Sequence, residues 1–205
     1  LSRGLGDVYK RQKGTYGYMD RLKMREWKKS ALMLAIPVLV FLIGWAVMKT
    51  RLQVVTVIAV VGCLPGCNEV VHAIMASRYH SMDKKLYEEV EAARGDRMAL
   101  YENVFTTYDK NYVVDCIIIS GREVLGYSSE EKTDAKAAET HLTTILKQNS
   151  YKQNVKIMKN REAYLTRVKE LASGEPEEVP FREDERCPGM TRDEVISFIL
   201  QSISL

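Results

Sequence analysis

Residues 31–48 read Ala-Leu-Met-Leu-Ala-Ile-Pro-Val-Leu-Val-Phe-Leu-Ile-Gly-Trp-Ala-Val-Met, an uncharged run of eighteen residues. After Lys49-Thr50-Arg51 a second run extends from Leu52 to Cys67 with only Gln53 and Thr56 polar. It continues through Asn68 and Glu69 into Val70-Val71-His72-Ala73-Ile74-Met75-Ala76. Crossing a hydrocarbon core takes roughly 17–25 such residues. The second run, taken as one helix, reaches about 35 Å at 1.5 Å per residue. Pro37 inside the first run is tolerated where neighbouring groups compensate the lost hydrogen bond. Trp45 lies near its far end, where interfacial aromatics are favoured. A soluble protein would have to bury two long helices that are apolar nearly all round within a small domain. The expectation is a membrane hairpin with transmembrane helices at 31–48 and 52–76, joined by a short outside loop at 49–51.

Charge divides the chain in the same way. The formal net charge is +3, yet residues 13–30 hold six Lys and Arg against Asp20 and Glu26. From Ser81 onward 23 acidic residues outweigh 18 basic ones. A nucleic-acid-binding domain has the opposite balance, so no nucleic-acid partner is expected. With 46% hydrophobic and 28% charged residues, the composition excludes disordered, collagen-like and disulfide-framework chains. Residues 1–12, Leu-Ser-Arg-Gly-Leu-Gly-Asp-Val-Tyr-Lys-Arg-Gln, resemble sequencing-adapter read-through at the starts of metagenomic proteins and read as a non-native leader. Residues 13–30 read as a basic cytoplasmic flank. The positive-charge bias predicts both termini in the cytoplasm. Lys49 and Arg51 in the loop weaken that bias without reversing it.

Within the second run, Gly62 and Gly66 form a small-xxx-small pair that lets the first helix approach closely, with Pro65 between them able to kink it. Asn68, Glu69 and His72 are the polar cluster nearest to membrane depth. They form a proton or ion site if buried in the membrane, or an ordinary headgroup-level cluster if Glu69 sits at the cytoplasmic surface. Cys63 and Cys67 lie one helical turn apart. A metal site needs three or four converging ligands, so they read as packing groups and no metal or cofactor is expected. Cys116 and Cys187 fall in the cytoplasmic part, where disulfides are not expected.

Residues 77–173 read as a cytoplasmic α/β domain. A charged helix covers Met82 to Ala93, with Leu86 and Val90 on one face and Gly95 ending it. Strands follow at Leu100–Thr107, at Tyr112–Ser120, which is apolar on both faces and so central, and at Val124–Tyr127. Ser128 with Glu131 matches a capping box for the next helix, whose stripe is Ala135, Ala138, Leu142, Ile145 and Leu146. A strand at Val155–Met158 and a helix from Arg161 to Ala172, with Tyr164, Val168 and Leu171 inward, complete the domain. Residues 174–190 read as an acidic, proline-containing linker. Residues 191–205 form a C-terminal amphipathic helix, capped by Thr191 and Glu194, whose apolar stripe docks on the domain or on a partner. The expected fold is therefore a membrane α-hairpin plus an α/β domain, helix-β-β-β-α-β-α, with a mixed sheet and a C-terminal helix.

That order over residues 82–172 resembles the core of restriction-endonuclease-like domains, especially nuclease-related domains attached to bacterial membrane proteins. In that family a strand carries a metal-binding Asp, and the next ends in Glu-x-Lys, whose Glu binds metal and whose Lys helps activate water. Asp115, in Val-Val-Asp-Cys-Ile-Ile-Ile, matches the first position. Gly126-Tyr127-Ser128 stand where the second motif belongs, so the resemblance implies a domain without its main electrostatic supports. Lys132 is the substitute ammonium, but Glu130, two residues before it, falls past the strand. On its own chemistry Asp115 is either a site residue or a buried carboxylate paired with a base such as Lys110. The whole chain is also similar to two-span membrane proteins of anaerobic Gram-positive bacteria, through Lys-Gly-Thr-Tyr-Gly-Tyr at 13–18 and the stretch from Lys49 to Cys67, and this resemblance implies a multi-pass protein of the bacterial plasma membrane.

The functional expectation is a non-enzymatic integral membrane protein that tethers its α/β domain for protein interaction, self-association or scaffolding. Two alternatives stay open. One is a membrane-tethered, metal-dependent nuclease-like hydrolase using Asp115. The other is an accessory subunit of a transporter, with Glu69 and His72 facing a partner helix.

Overall fold

The computed structural model describes residues 13–48, 54–107, 110–174, 179 and 189–205. The 1–12 leader, the 49–51 loop, Cys187 and most of the 174–190 linker lie outside them. The chain forms two compact units. One takes the described residues up to Tyr18 together with Ser81–Leu205, and the other is Met19–His80.

The second unit is a pair of helices, α1 (Tyr18–Met48) and α2 (Val54–Ser77). Both carry an internal proline, Pro37 and Pro65, without losing continuity. The segment from Tyr18 to Ser30, expected as part of the basic flank outside the first helix, is the first part of α1. Trp27 Nε1 donates to Ser77 Oγ at 3.0 Å, and Lys29 Nζ lies 2.8 Å from Glu69 Oε2. Leu34 faces Gly66 and Pro37 faces Gly62, so the helices run antiparallel. Both are long and apolar enough to cross a membrane, yet only 11% and 17% of their most apolar windows are buried.

In the other unit α3 (Lys84–Arg94) precedes β1 (Met98–Thr106), β2 (Asn111–Ser120) and β3 (Glu123–Tyr127). Next come α4 (Ala135–Gln148), β4 (Asn154–Met158), α5 (Arg161–Ser173) and α6 (Arg192–Ile203). The sheet runs β1-β2-β3-β4, antiparallel at the first two junctions and parallel at the third. Helices cover both faces. Val114, Ile117 and Ile119 of β2 join a core with Leu142 and Leu146 of α4 and Ile196 and Leu200 of α6. Cys116 and Ile118 join the opposite core with Leu86 and Val90 of α3 and Tyr164 and Val168 of α5. A central strand buried on both faces explains its β-branched, nearly unbroken apolar sequence.

The alternation of faces breaks once. Tyr101 pairs with Cys116 and Asn103 with Val114, while Glu102 and Asp115 between them have no strand pairing. Glu102 has φ of 54°, left-handed backbone that a residue with a Cβ adopts at a cost. The consequence is visible in β2, where Val114 and Ile117, three residues apart, serve the same core. The break behaves as a bulge, re-aiming the two acidic side chains.

Helix starts follow local chemistry. Asp83, Asp134, Asn160 and Thr191 cap α3, α4, α5 and α6 through their side chains. At α6 both hydrogen bonds of the capping box form between Thr191 and Glu194. The Ser128–Glu131 capping box is corrected: Ser128 Oγ instead donates to Val113 O at 2.6 Å, and α4 begins seven residues later behind Asp134. The last helix packs on its own unit, against β1, β2 and α4. Residues beyond it close the outer edge of β1, with Leu205 N donating to Val104 O at 2.9 Å and Ser204 bridging Phe105.

The basic flank 13–30 is likewise divided. Residues 13–17 belong to the α/β unit, where Tyr101 N donates to Gly14 O at 2.8 Å. Gly14 has φ of 74°, and a Cβ there would fall 2.7 Å from Leu100 Cδ2, so only glycine fits without displacement. Lys13 Nζ donates to Ser204 O at 3.0 Å, joining the two segments that cover the β1 edge. Covering an edge in this way removes a template for unwanted pairing.

Candidate functional site

The bulge places two buried carboxylates in different roles. Asp115, 5% exposed, accepts a hydrogen bond from Ser129 N at 2.6 Å. It thereby anchors the turn after β3, which Ser128 Oγ and Thr133 Oγ1 also fasten to Val113. Lys110, the base offered as one possible partner, does not pair with Asp115. The bulge turns Asp115 toward the turn after β3, whereas Lys110 sits in the β1–β2 connection, where its N–H and C=O bond Thr107. Glu102 was not singled out from the sequence. Its Oε1 accepts from Gly17 N at 2.8 Å and its Oε2 from Ser81 Oγ at 3.3 Å. Gly17 immediately precedes α1 and Ser81 follows α2, so one side chain clasps the chain where it leaves the α/β unit and where it returns. Tyr16, stacked on Tyr87 at 4.4 Å, reinforces that junction.

A second polar group lies on the α3/α5 face. Tyr101 Oη donates to Glu91 Oε1 at 2.6 Å, and Arg94 Nη2 lies 2.8 Å from Glu91 Oε2. Burial works to raise the Glu91 carboxyl. Hydrogen bonds from Arg94 and Tyr101 outweigh it and hold the group below the ordinary carboxylate range. Nearby, Tyr164 Oη donates to Cys116 Sγ at 3.2 Å, both buried. Burial pushes the Cys116 thiol up to about 12 and Tyr164 well above the ordinary phenol range. A thiol so protonated is no nucleophile. Among the described residues no group of three or more His, Cys, Asp and Glu side chains converges in a metal-binding arrangement.

A cleft of about 420 Å³ in the α/β unit lies beside the β1 edge. Its polar side chains are already engaged. Lys13 bonds Ser204 O, Glu194 completes the capping box, and Gln201 Nε2 donates to Ser197 Oγ at 3.1 Å.

In the hairpin, the polar trio is split. Asn68 Nδ2 lies 3.5 Å from exposed His72 Nε2, while Glu69 faces Lys29. The Lys29–Glu69 contact is an ion pair without an aligned hydrogen bond to the buried Oε2. Gly62 and Gly66 both face α1, where a Cβ on Gly66 would lie 2.6 Å from Leu34 Cδ2 and one on Gly62 3.4 Å from Pro37 Cβ. Cys67 is exposed and Cys63 half-buried. No protein-family model, no curated protein and no solved structure matches this chain.

Proposed function

We propose that this chain is an integral membrane protein whose α1–α2 hairpin anchors the acidic α/β unit to the cytoplasmic face of the plasma membrane. There that unit binds a protein partner or a second copy and does not turn over a substrate. The observation that carries this reading is the outward display of large apolar side chains on both long helices, including Leu32, Ile36, Ile43, Ile58, Val60 and Leu64. In water such a surface is an aggregation liability, and in hydrocarbon it is the expected exterior. The Glu102 clasp supports the topology, because Gly17 and Ser81 on one side chain require both ends of the hairpin on one side of a bilayer. The basic flank favours the cytoplasmic side.

The interaction role draws support from Asp115, whose Oδ2 accepts from Ser129 N, and from the cleft beside β1, where Lys13, Glu194 and Gln201 each hold a structural hydrogen bond. The Lys29–Glu69 pair accounts for the charge that a transporter subunit would present to a partner helix. The chain should remain with membranes after an alkaline carbonate wash, and a reporter fused after residue 80 should be active only in the cytoplasm. Release into the wash, or external reporter activity, overturns the reading. Incubating the full chain in detergent with Mg²⁺ or Mn²⁺ and DNA or RNA tests the hydrolase alternative. Metal-dependent cleavage lost in Asp115→Asn would replace the interaction role with catalysis.

A further inference from the structure

The first turns of α1 carry an arrangement that the anchoring role does not by itself use. Arg21, Arg25, Lys28 and Lys29 recur at spacings of four, three and one, so they share one helical face within about 100° of arc. Lys23 falls on a different face and pairs with Asp20 at 3.3 Å. On this face Glu26 lies 3.3 Å from Arg25 Nη2, and Glu69 of α2 lies 2.8 Å from Lys29 Nζ. Residues 13–30 as a whole hold six cations against two acids. Arg21 with Arg25 and Arg25 with Lys29 are like charges at i,i+4, and Arg25 with Lys28 at i,i+3, all of which work against the helix that contains them. Exposed Arg78 follows α2 directly, and the Trp27–Ser77 hydrogen bond brings that end beside the same turns.

Depth matters as much as charge. The apolar run starts at Ala31, two residues past Lys29, and the half-exposed Trp27 indole is of the kind favoured at headgroup level. We infer that this face of α1 binds the phosphate of an anionic glycerophospholipid headgroup, with Arg21, Arg25 and Lys28 as its donors and Arg78 contributing charge. The inference rests on the membrane reading above. Several cations clustered just cytoplasmic of an apolar helix attract acidic lipid, each adding roughly a fivefold preference. The ion pairs of Arg25 and Lys29 are exposed enough to be shared with a phosphate, because surface pairs are weak.

The test is reconstitution of the full chain into nanodiscs of phosphatidylcholine mixed with phosphatidylglycerol, followed by native mass spectrometry of the lipid retained. The wild-type chain should retain phosphatidylglycerol in clear excess of its share. Arg21→Gln, Arg25→Gln and Lys28→Gln should each lower that excess about fivefold, while Lys23→Gln, off the face, should leave it unchanged. Incorporation with no lipid preference, or an equal loss in Lys23→Gln, overturns the inference and leaves the membrane reading standing. Failure to incorporate at all overturns the membrane reading itself, and the inference falls with it. Glycerol phosphate should not be retained by the detergent-solubilised chain. Its retention would assign the face to a free phosphate and overturn the lipid.

Discussion

The α/β unit and the helical hairpin use the same side chains and treat them in opposite ways. Ile118 in the middle of β2 is 0% exposed, whereas Ile43 on α1 is 63% exposed. The sheet folds because its apolar groups leave water together. The hairpin keeps its apolar groups on the outside and joins its two helices through small residues, one ion pair and one indole hydrogen bond. Apolar content alone therefore says little about where stability comes from; what counts is whether the surroundings are protein or something else.

The sharpest break of that comparison is a matched pair of substitutions. Ile118→Ala should cost about 2–5 kcal/mol, through lost burial and the cavity left behind. Ile43→Ala should change unfolding of the detergent-solubilised chain by no more than about 0.5 kcal/mol. Near-ultraviolet circular dichroism during denaturant titration reads both, and equal effects would show the hairpin face to be a core surface after all.

Next in size is the clasp. Glu102→Ala leaves the Gly17 amide and the Ser81 hydroxyl without their carboxylate, an expected loss of about 1.5–3 kcal/mol. It should also make Lys13 a faster tryptic site. Unchanged cleavage would mean that the Tyr16–Tyr87 stack and the Gly14 hydrogen bond hold the segment unaided.

Alkaline pH should separate the units as well. Cys116 stays protonated in the fold up to about 12 because it is buried, above its ordinary range near 9. The folded state thus holds a proton that the unfolded chain has released. Its contribution is complete below pH 9 and is lost as pH rises from 9 toward 12, at about 1.4 kcal/mol per pH unit for each such group. Tyr101 and Tyr164 shift in the same direction through burial. Cys116→Ala should flatten the decline, and an unaltered slope would rule the thiol out as a contributor.

The smallest effect concerns glycines. Gly14→Ala is strained by its positive φ and should cost about 1–2 kcal/mol. Gly66→Ala has no positive φ to strain and would press on the Leu34 side chain, at 2.6 Å from Cδ2 and 3.0 Å from Cγ, which can turn aside, so it should cost less. Thermal unfolding that ranks them the other way would show the hairpin to be the tighter-packed unit.

Much of this architecture was legible in the residues. The two apolar runs, the doubly buried β2, the helical stripes and the Thr191–Glu194 box are patterns written within a few positions. What escaped reading depends on distant partners. Ser128 and Glu131 have the spacing of a cap, but Val113 takes the hydroxyl, and no local pattern reports that competition. A glutamate with positive φ has no signature of its own, so the bulge at Glu102 and the altered aim of Asp115 were invisible. Residues 13–17 look like the rest of a basic flank. Their membership in the sheet unit follows from Gly14 meeting Tyr101 and Gly17 meeting Glu102, 85 positions away.

The doubly covered edge of β1 also bears on the order of events during synthesis. Gly14 emerges early, and the strand it borders comes only after both long helices have been made. Val104 must then wait a further 100 residues for Ser204. Until that moment the part of the strand around Val104 has its outer edge bare, and it is then open to pairing with a neighbouring chain. The two helices between Gly17 and Ser81 act during that interval as a leash, keeping the early segment within reach of the strand that will need it.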